Sequence, residues 1–236
     1  MKRFALNAAL LGALMAPAPL AVLAQDKTGT NTQPTAAADT AGSAVSKVAL
    51  AQDLYAHAQE GRDAIAALAA AQIMLSIDAK DVEREKETRD NTETAAATGG
   101  ADAADTPATA EAMLAAATEF AGGDPSITGL IEDVKAEGSR GRIGGASRTL
   151  SRLPGGKVDV FKVPFYGGRV AELGIVGDGD SNLDLVVQDE NGNTICIDRT
   201  RSDRIYCSFT PRWDGYFVVA VANMGRVRNS YYILTN

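Results

Sequence analysis

The sequence predicts an α+β protein built as separate parts, a short helical region followed by a C-terminal all-β sandwich or jelly roll. Three observations carry that prediction. Apolar residues recur at helical spacing between residues 44 and 137. After Val158 the spacing switches to alternation. Clusters of Gly, Asp and Asn then break the alternating runs at short, regular intervals.

The helical elements come first. Val48, Ala51, Leu54, Tyr55 and Ala58 fall on one helix face, and Ile65, Leu68, Ala69, Ile73 and Leu75 make a second stripe after Gly61 and a capping Asp63. Thr106-Pro107 and Asp124-Pro125 each read as a cap followed by proline at the first helical position. The stripes Met113, Leu114, Ala117, Phe120, Ala121 and Ile127, Leu130, Ile131, Val134 follow them. Such short helices are not stable alone and must pack on a neighbour.

The segments between are polar. Residues 25–43 read as a disordered leader, because they hold almost no large apolar group to offset ordering entropy. The mixed charges from Asp81 to Glu87 read as a solvated helix end, and residues 86–105 as a flexible linker. Residues 138–156, with Arg140, Arg142, Arg148 and Arg152 among glycines, read as a connector.

The chain has 236 residues, 23 Lys+Arg against 30 Asp+Glu, a net charge of −7 and one His. That balance points away from nucleic acid, whose binders present a basic face. The single His57, on the first predicted helix, leaves no basis for a His-rich metal site or a Ser–His machine. Lys2 and Arg3, an apolar run to Leu23 broken by Pro17 and Pro19, and Val22-Leu23-Ala24 form a secretory signal peptide over residues 1–24. The expected product is periplasmic or secreted, with no transmembrane span in the mature chain. In that compartment Cys196 and Cys207 are expected to pair in a disulfide. A hairpin turning at Arg201-Ser202 would bring them opposite each other, and so short a loop stabilises by roughly 3 kcal/mol at most.

In the C-terminal part, Phe161/Val163/Phe165, Ala171/Leu173/Ile175, Leu183/Leu185/Val187, Tyr216/Val218/Ala220/Ala222 and Tyr232/Leu234 alternate, and Asn191-Gly192 marks a tight hairpin. Gly177-Asp178-Gly179-Asp180-Ser181-Asn182-Leu183-Asp184-Leu185 and Asp189-Glu190-Asn191-Gly192-Asn193 stand before Pro211-Arg212-Trp213-Asp214-Gly215-Tyr216. In that order they resemble the signature of bacterial pre-peptidase C-terminal domains, over roughly residues 157–236. The helical half is similar to the N-terminal part of exported proteobacterial proteins. The resemblance implies a compact β-sandwich that serves secreted proteins in targeting, binding or folding, here without a protease domain beside it.

Two groups of residues are candidate sites. Asp178, Asp180, Asn182 and Asp184 alternate, with Asp189 further on, and hard oxygen ligands at such spacing suit Ca²⁺. The same residues also suit a solvated turn bonded to its own backbone, since Leu183 stands where an EF-hand needs glycine. Trp213 and Tyr216 are candidates for an aromatic contact with a sugar or partner, or for a plug at the end of the sandwich. No nucleophile–base pattern is present, so no catalytic residue is assigned. The expected function is a non-catalytic exported envelope protein whose β-sandwich binds, targets or assembles, its partner an envelope protein or polysaccharide. The alternatives are a calcium-stabilised structural module and, further off, a hydrolase accessory or enzyme. No cofactor is expected apart from the candidate Ca²⁺.

Overall fold

Capping side chains set the helix starts in the computed structural model, which describes residues 27–33, 42–92, 106–137 and 143–236. The signal peptide at 1–24 lies outside the described residues, as do 34–41 of the leader, 93–105 of the linker and 138–142 of the connector. The elements are α1 (Ala44–Gly61), α2 (Ala64–Leu75), β1 (Ile77–Asp81), β2 (Lys86–Asp90), α3 (Ala110–Ala121) and α4 (Pro125–Glu137). The remaining strands are β3 (Ile143–Leu153), β4 (Lys157–Phe165), β5 (Ala171–Val176), β6 (Leu183–Gln188), β7 (Thr194–Asp198), β8 (Arg204–Phe209), β9 (Gly215–Asn223) and β10 (Asn229–Thr235). Asp63 Oδ1 accepts from Ile65 N at 2.9 Å, and Asp124 Oδ1 from Ser126 N at 2.8 Å, as the caps predict. The third helix starts later than expected, capped by Thr109, whose Oγ1 accepts from Ala112 N. Gln52 Nε2 donates to Ala108 O at 2.7 Å and holds the approach to α3 against α1.

Small side chains bring the helices together. Ala58, Ala67 and Leu68 meet Ala117 and Ile131, while Ala70 and Ala71 meet Met113. Ile65, expected on the buried stripe, is half exposed because the alanines of α2 take that role.

The strands form two five-stranded sheets, β1-β3-β10-β5-β8 (sheet 1) and β2-β4-β9-β6-β7 (sheet 2). The α+β layout with a C-terminal sandwich is as the sequence predicts. Between the sheets lie Phe161, Leu173, Ile175, Leu183, Leu185, Phe217, Val219, Tyr231 and Ile233, all fully buried. Two strands differ in face from expectation. In β9 the inward set is Phe217, Val219 and Val221, and in β10 it is Tyr231 and Ile233. Both runs are apolar at both parities, so alternation alone does not choose the face.

The sandwich also reaches back before residue 157. Residues 77–90 form one extended run that changes sheets: β1 pairs with the start of β3, and β2 with the start of β4. The expected helix end and linker start are therefore edge strands, and the expected connector is β3. Some of the polar side chains of this run reach buried or half-buried partners. Arg84, at the crossing, donates to Thr149 Oγ1, Ser147 Oγ and Thr235 Oγ1 at 2.6–2.8 Å. Lys86 Nζ donates to Asp159 Oδ2 at 2.7 Å. Part of the expected leader is ordered too, since Gln33 bridges Thr210 and Asn31 is buried.

Cys196 and Cys207 are joined by a disulfide, with their Cα atoms 6.5 Å apart. The bridge does not lie across a hairpin, because β7 and β8 are the outer strands of different sheets. The intervening segment crosses the sandwich instead of turning within a sheet, drawn across by Gly177 N donating to Asp203 O and Leu183 N donating to Ser202 O. The disulfide thus staples the two sheets together at one lateral edge.

Helix α1 lies on the outer face of sheet 1. Ala44, Val45 and Val48 pack against Val176, Leu234, Tyr206 and Tyr232. The approach is close enough that a Cβ on Gly174 would stand 2.9 Å from Val45 Cγ1.

Candidate functional site

The acidic turn is built by hydrogen bonds to its own end of the sandwich. Asp178 Oδ2 accepts from Ser230 N at 2.7 Å and Oδ1 from Asp180 N at 3.1 Å. Burial outweighs those bonds and pushes the Asp178 carboxyl above its ordinary range. Gly179 N donates to Asp203 Oδ2 at 2.6 Å, and Asn182 Nδ2 to Asp184 Oδ1 at 3.0 Å. Gly177 has no room for a side chain there, because a Cβ would stand 2.2 Å from Asp203 Oδ2.

Asp189 is elsewhere. The length of β6 separates it from this turn, and at ~3.3 Å per residue that is roughly 20 Å. Its carboxylate closes the β6–β7 hairpin, Oδ1 accepting from Asn191 N at 3.0 Å and Asn193 N at 2.8 Å. Oδ2 accepts from Asn31 N at 2.8 Å. Burial alone would raise its pKa, but these bonds together hold it below the ordinary value. The five candidate ligands are therefore not one site. Among the described residues no group of three Asp, Glu, His or Cys side chains is placed to hold a metal.

Trp213 is a plug. It is 5 % exposed. Its Nε1 donates to Glu190 Oε1, its backbone N donates to Asn31 Oδ1 at 3.1 Å, and its carbonyl accepts from Asn31 Nδ2 at 3.2 Å. Asn31 is the residue that sequence reasoning missed. A lone Asn in a Thr-rich stretch carries no periodicity, and only the buried turn it enters reveals its role. Tyr216 remains outside, 45 % exposed, with Lys162 Nζ 5.5 Å from its ring centroid. His57 is exposed on α1.

A buried polar cluster fills the other lateral edge. Asp159, fully buried, accepts from Lys86, Ser151 Oγ at 2.6 Å and Tyr231 OH at 2.9 Å. Burial, reinforced by the Asp159 charge, pushes the Tyr231 phenol far above its ordinary range. Lys86 Nζ also donates to Ser151 Oγ at 2.7 Å. A Ser–Lys pair is a known nucleophilic arrangement, but here Ser151 is buried and the lysine is ion-paired with Asp159. The cluster cross-links β2, β3, β4 and β10, and its members Ser151, Asp159 and Tyr231 are buried. A cleft of about 300 Å³ between α1, α2, β1 and the start of α3 holds Val48, Met74, Ile77 and Tyr232. Its charged lining is Asp78, Glu111 and Arg148, the last bonded to Asp81 Oδ1 at 2.7 Å.

The remaining surface with character is the outer face of sheet 2. The ladder places Val160 beside Ala220, Ala220 beside Val186, and Val186 beside Ile197, one apolar row across four strands. Val160, Ala220 and Val186 are half-buried, and Ile197 is 54 % exposed. Tyr216 and Lys162 stand beside this row. A solvated sheet face normally carries polar side chains at such positions.

No protein-family model matches the sequence, and no curated protein sequence does. Among solved structures, the chain is similar to the pre-peptidase C-terminal domain of collagenase from Bacillus anthracis. That likeness has 16% identity and a TM-score of 0.33, and it covers 39% of this chain and 90% of that one. It is also similar to an exo-β-1,3-galactanase from Phanerochaete chrysosporium at 14% identity and a TM-score of 0.24, over 39% of this chain and 27% of that one. No helix among the described residues is long and apolar enough to cross a membrane.

Proposed function

We propose that the chain is a non-catalytic exported protein whose β-sandwich docks a partner in the cell envelope on the outer face of sheet 2. The observation that carries this reading is the apolar row Val160–Ala220–Val186–Ile197, lying on the face opposite the helices. Contiguous apolar surface left outside a folded domain marks interaction sites. Tyr216, with an apolar ring and a polar tip, suits the rim of such a contact. The disulfide supports folding in an oxidising compartment. A photo-crosslinking side chain placed at Val186 or Ile197 in producing cells tests the reading, with exposed Leu50 on α1 as control. The expected result is one discrete crosslinked species in the envelope fraction from the sheet 2 positions and none from position 50. Equal labelling at all three positions, or none at 186 and 197, overturns it.

A further inference from the structure

Strand β2 is the outer strand of sheet 2 on the side away from the disulfide. All five of its residues are exposed, and among the described residues no strand lies beyond it. An open edge of this kind offers a row of backbone donors and acceptors to another strand. Asn91 N donates to Gly156 O at 2.9 Å, so the odd-numbered residues turn their backbone groups toward β4. By the same alternation, the backbone groups of Lys86, Thr88 and Asp90 face outward.

The charges along this edge have an unusual order. Lys86-Glu87-Thr88-Arg89-Asp90 reads plus, minus, neutral, plus, minus. Turned end for end about Thr88, position 86 faces 90 and 87 faces 89; Lys86 is already paired with Asp159 and Asp90 with Lys157, so the outer-face residues Glu87 and Arg89 carry the charge complementarity. Thr88 then faces itself, and the outward backbone groups of 86, 88 and 90 meet their counterparts in hydrogen-bonded register. On the outer face, Glu87 and Arg89 already form an ion pair at 2.6 Å within the strand. Across a two-fold axis they become a ring of four alternating charges. Charged side chains on an edge strand commonly deter self-pairing, whereas the outer-face charges of this one are complementary to themselves.

We infer that β2 is a self-association edge, pairing antiparallel with β2 of a second copy of this chain about an axis through Thr88. Sheet 2 of the two copies then runs on as one sheet. This contact is independent of what covers the outer face of that sheet. A five-residue edge contact is small, so the dimer belongs to the weak, concentration-dependent class.

Sedimentation of the full chain over a concentration series tests it. Glu87→Arg alone, or Arg89→Glu alone, sets like charges opposite each other twice, and each weakens self-association at least about tenfold. The double variant Glu87→Arg/Arg89→Glu restores opposite charges and returns the dimer. Mixing the two single variants yields a heterodimer, since one copy is then positive and the other negative along the edge. This arm keeps the test decisive if either variant loses stability. Three outcomes overturn the inference: a wild-type chain that stays monomeric at all concentrations, an association that both single variants leave unchanged, or a mixture as monomeric as its parts.

Discussion

The two sheets share one core and have the same number of strands, yet their outer faces are treated differently. On sheet 1 the outward positions Val176 and Leu234 are covered by α1 and are buried as deeply as the core. On sheet 2 the equivalent outward positions of β6 and β9, Val186 and Ala220, are similarly apolar but only half-buried. The lesson is that residue type alone does not tell a covered face from an uncovered one. Among the described residues, what decides it is whether another segment of the chain arrives. Helix α1 reaches sheet 1 because Gly174 leaves room for Val45.

A matched pair of substitutions breaks this comparison most directly. Val176→Asp buries an unpaired carboxylate under α1 and is expected to cost more than about 3 kcal/mol. Val186→Asp on the other sheet is expected to cost under about 1 kcal/mol. Urea unfolding of both checks this, and equal losses would mean that the two faces are equally covered. The next largest effect concerns the edge where the sheets meet. Replacing Cys196 and Cys207 by Ser is expected to remove about 2–3 kcal/mol, read as a lower urea midpoint. Asn31→Ala strips the Trp213 end of its side-chain bonds and is expected to cost about 1–2 kcal/mol, with faster proteolysis at residues 27–33.

The two ends of the sandwich should also answer pH in opposite senses. Asp189 is held below its ordinary value of 3.8, so its contribution is full above that pH and is lost as pH falls through the lower folded value. Asp178 is raised above 3.8, so its contribution is full below that pH and is lost as pH rises through the higher folded value. Amide protection, taken relative to the intrinsic exchange rate at each pH, should therefore fall near Asn31 on acidification while it rises near Ser230. A uniform response at both ends would contradict the two bonding patterns. The smallest expected effect is that of Ca²⁺. With Asp189 at the far end from Asp178, added Ca²⁺ is expected to leave the melting temperature unchanged, and a clear rise would show that the turn binds without it.

The sandwich, the helix caps at Asp63 and Asp124 and the cysteine pairing were legible in the sequence, because each rests on local spacing or on residue chemistry. The placement of residues 77–90 was not. A strand whose inward positions are Lys86 and Thr88 shows no apolar alternation, and its partners Ser151 and Asp159 lie more than sixty residues away. The same holds for Asn31 and for the inter-sheet course of the disulfide. Each depends on a crossing between sheets, which no window of neighbouring residues contains. In β9 and β10 the signal was present at both parities, and only burial against the opposing sheet resolved it.

Apart from the β6–β7 hairpin, no strand in either sheet is paired with its neighbour along the chain. The final strand, β10, occupies the middle of sheet 1, between β3 and β5. A polypeptide emerging from its N-terminus therefore cannot complete sheet 2 before β9, nor sheet 1 before β10, has been made. Such non-local pairing makes assembly slow. Deleting β10 would split sheet 1 into two unconnected pieces, so this strand acts as the keystone of that sheet.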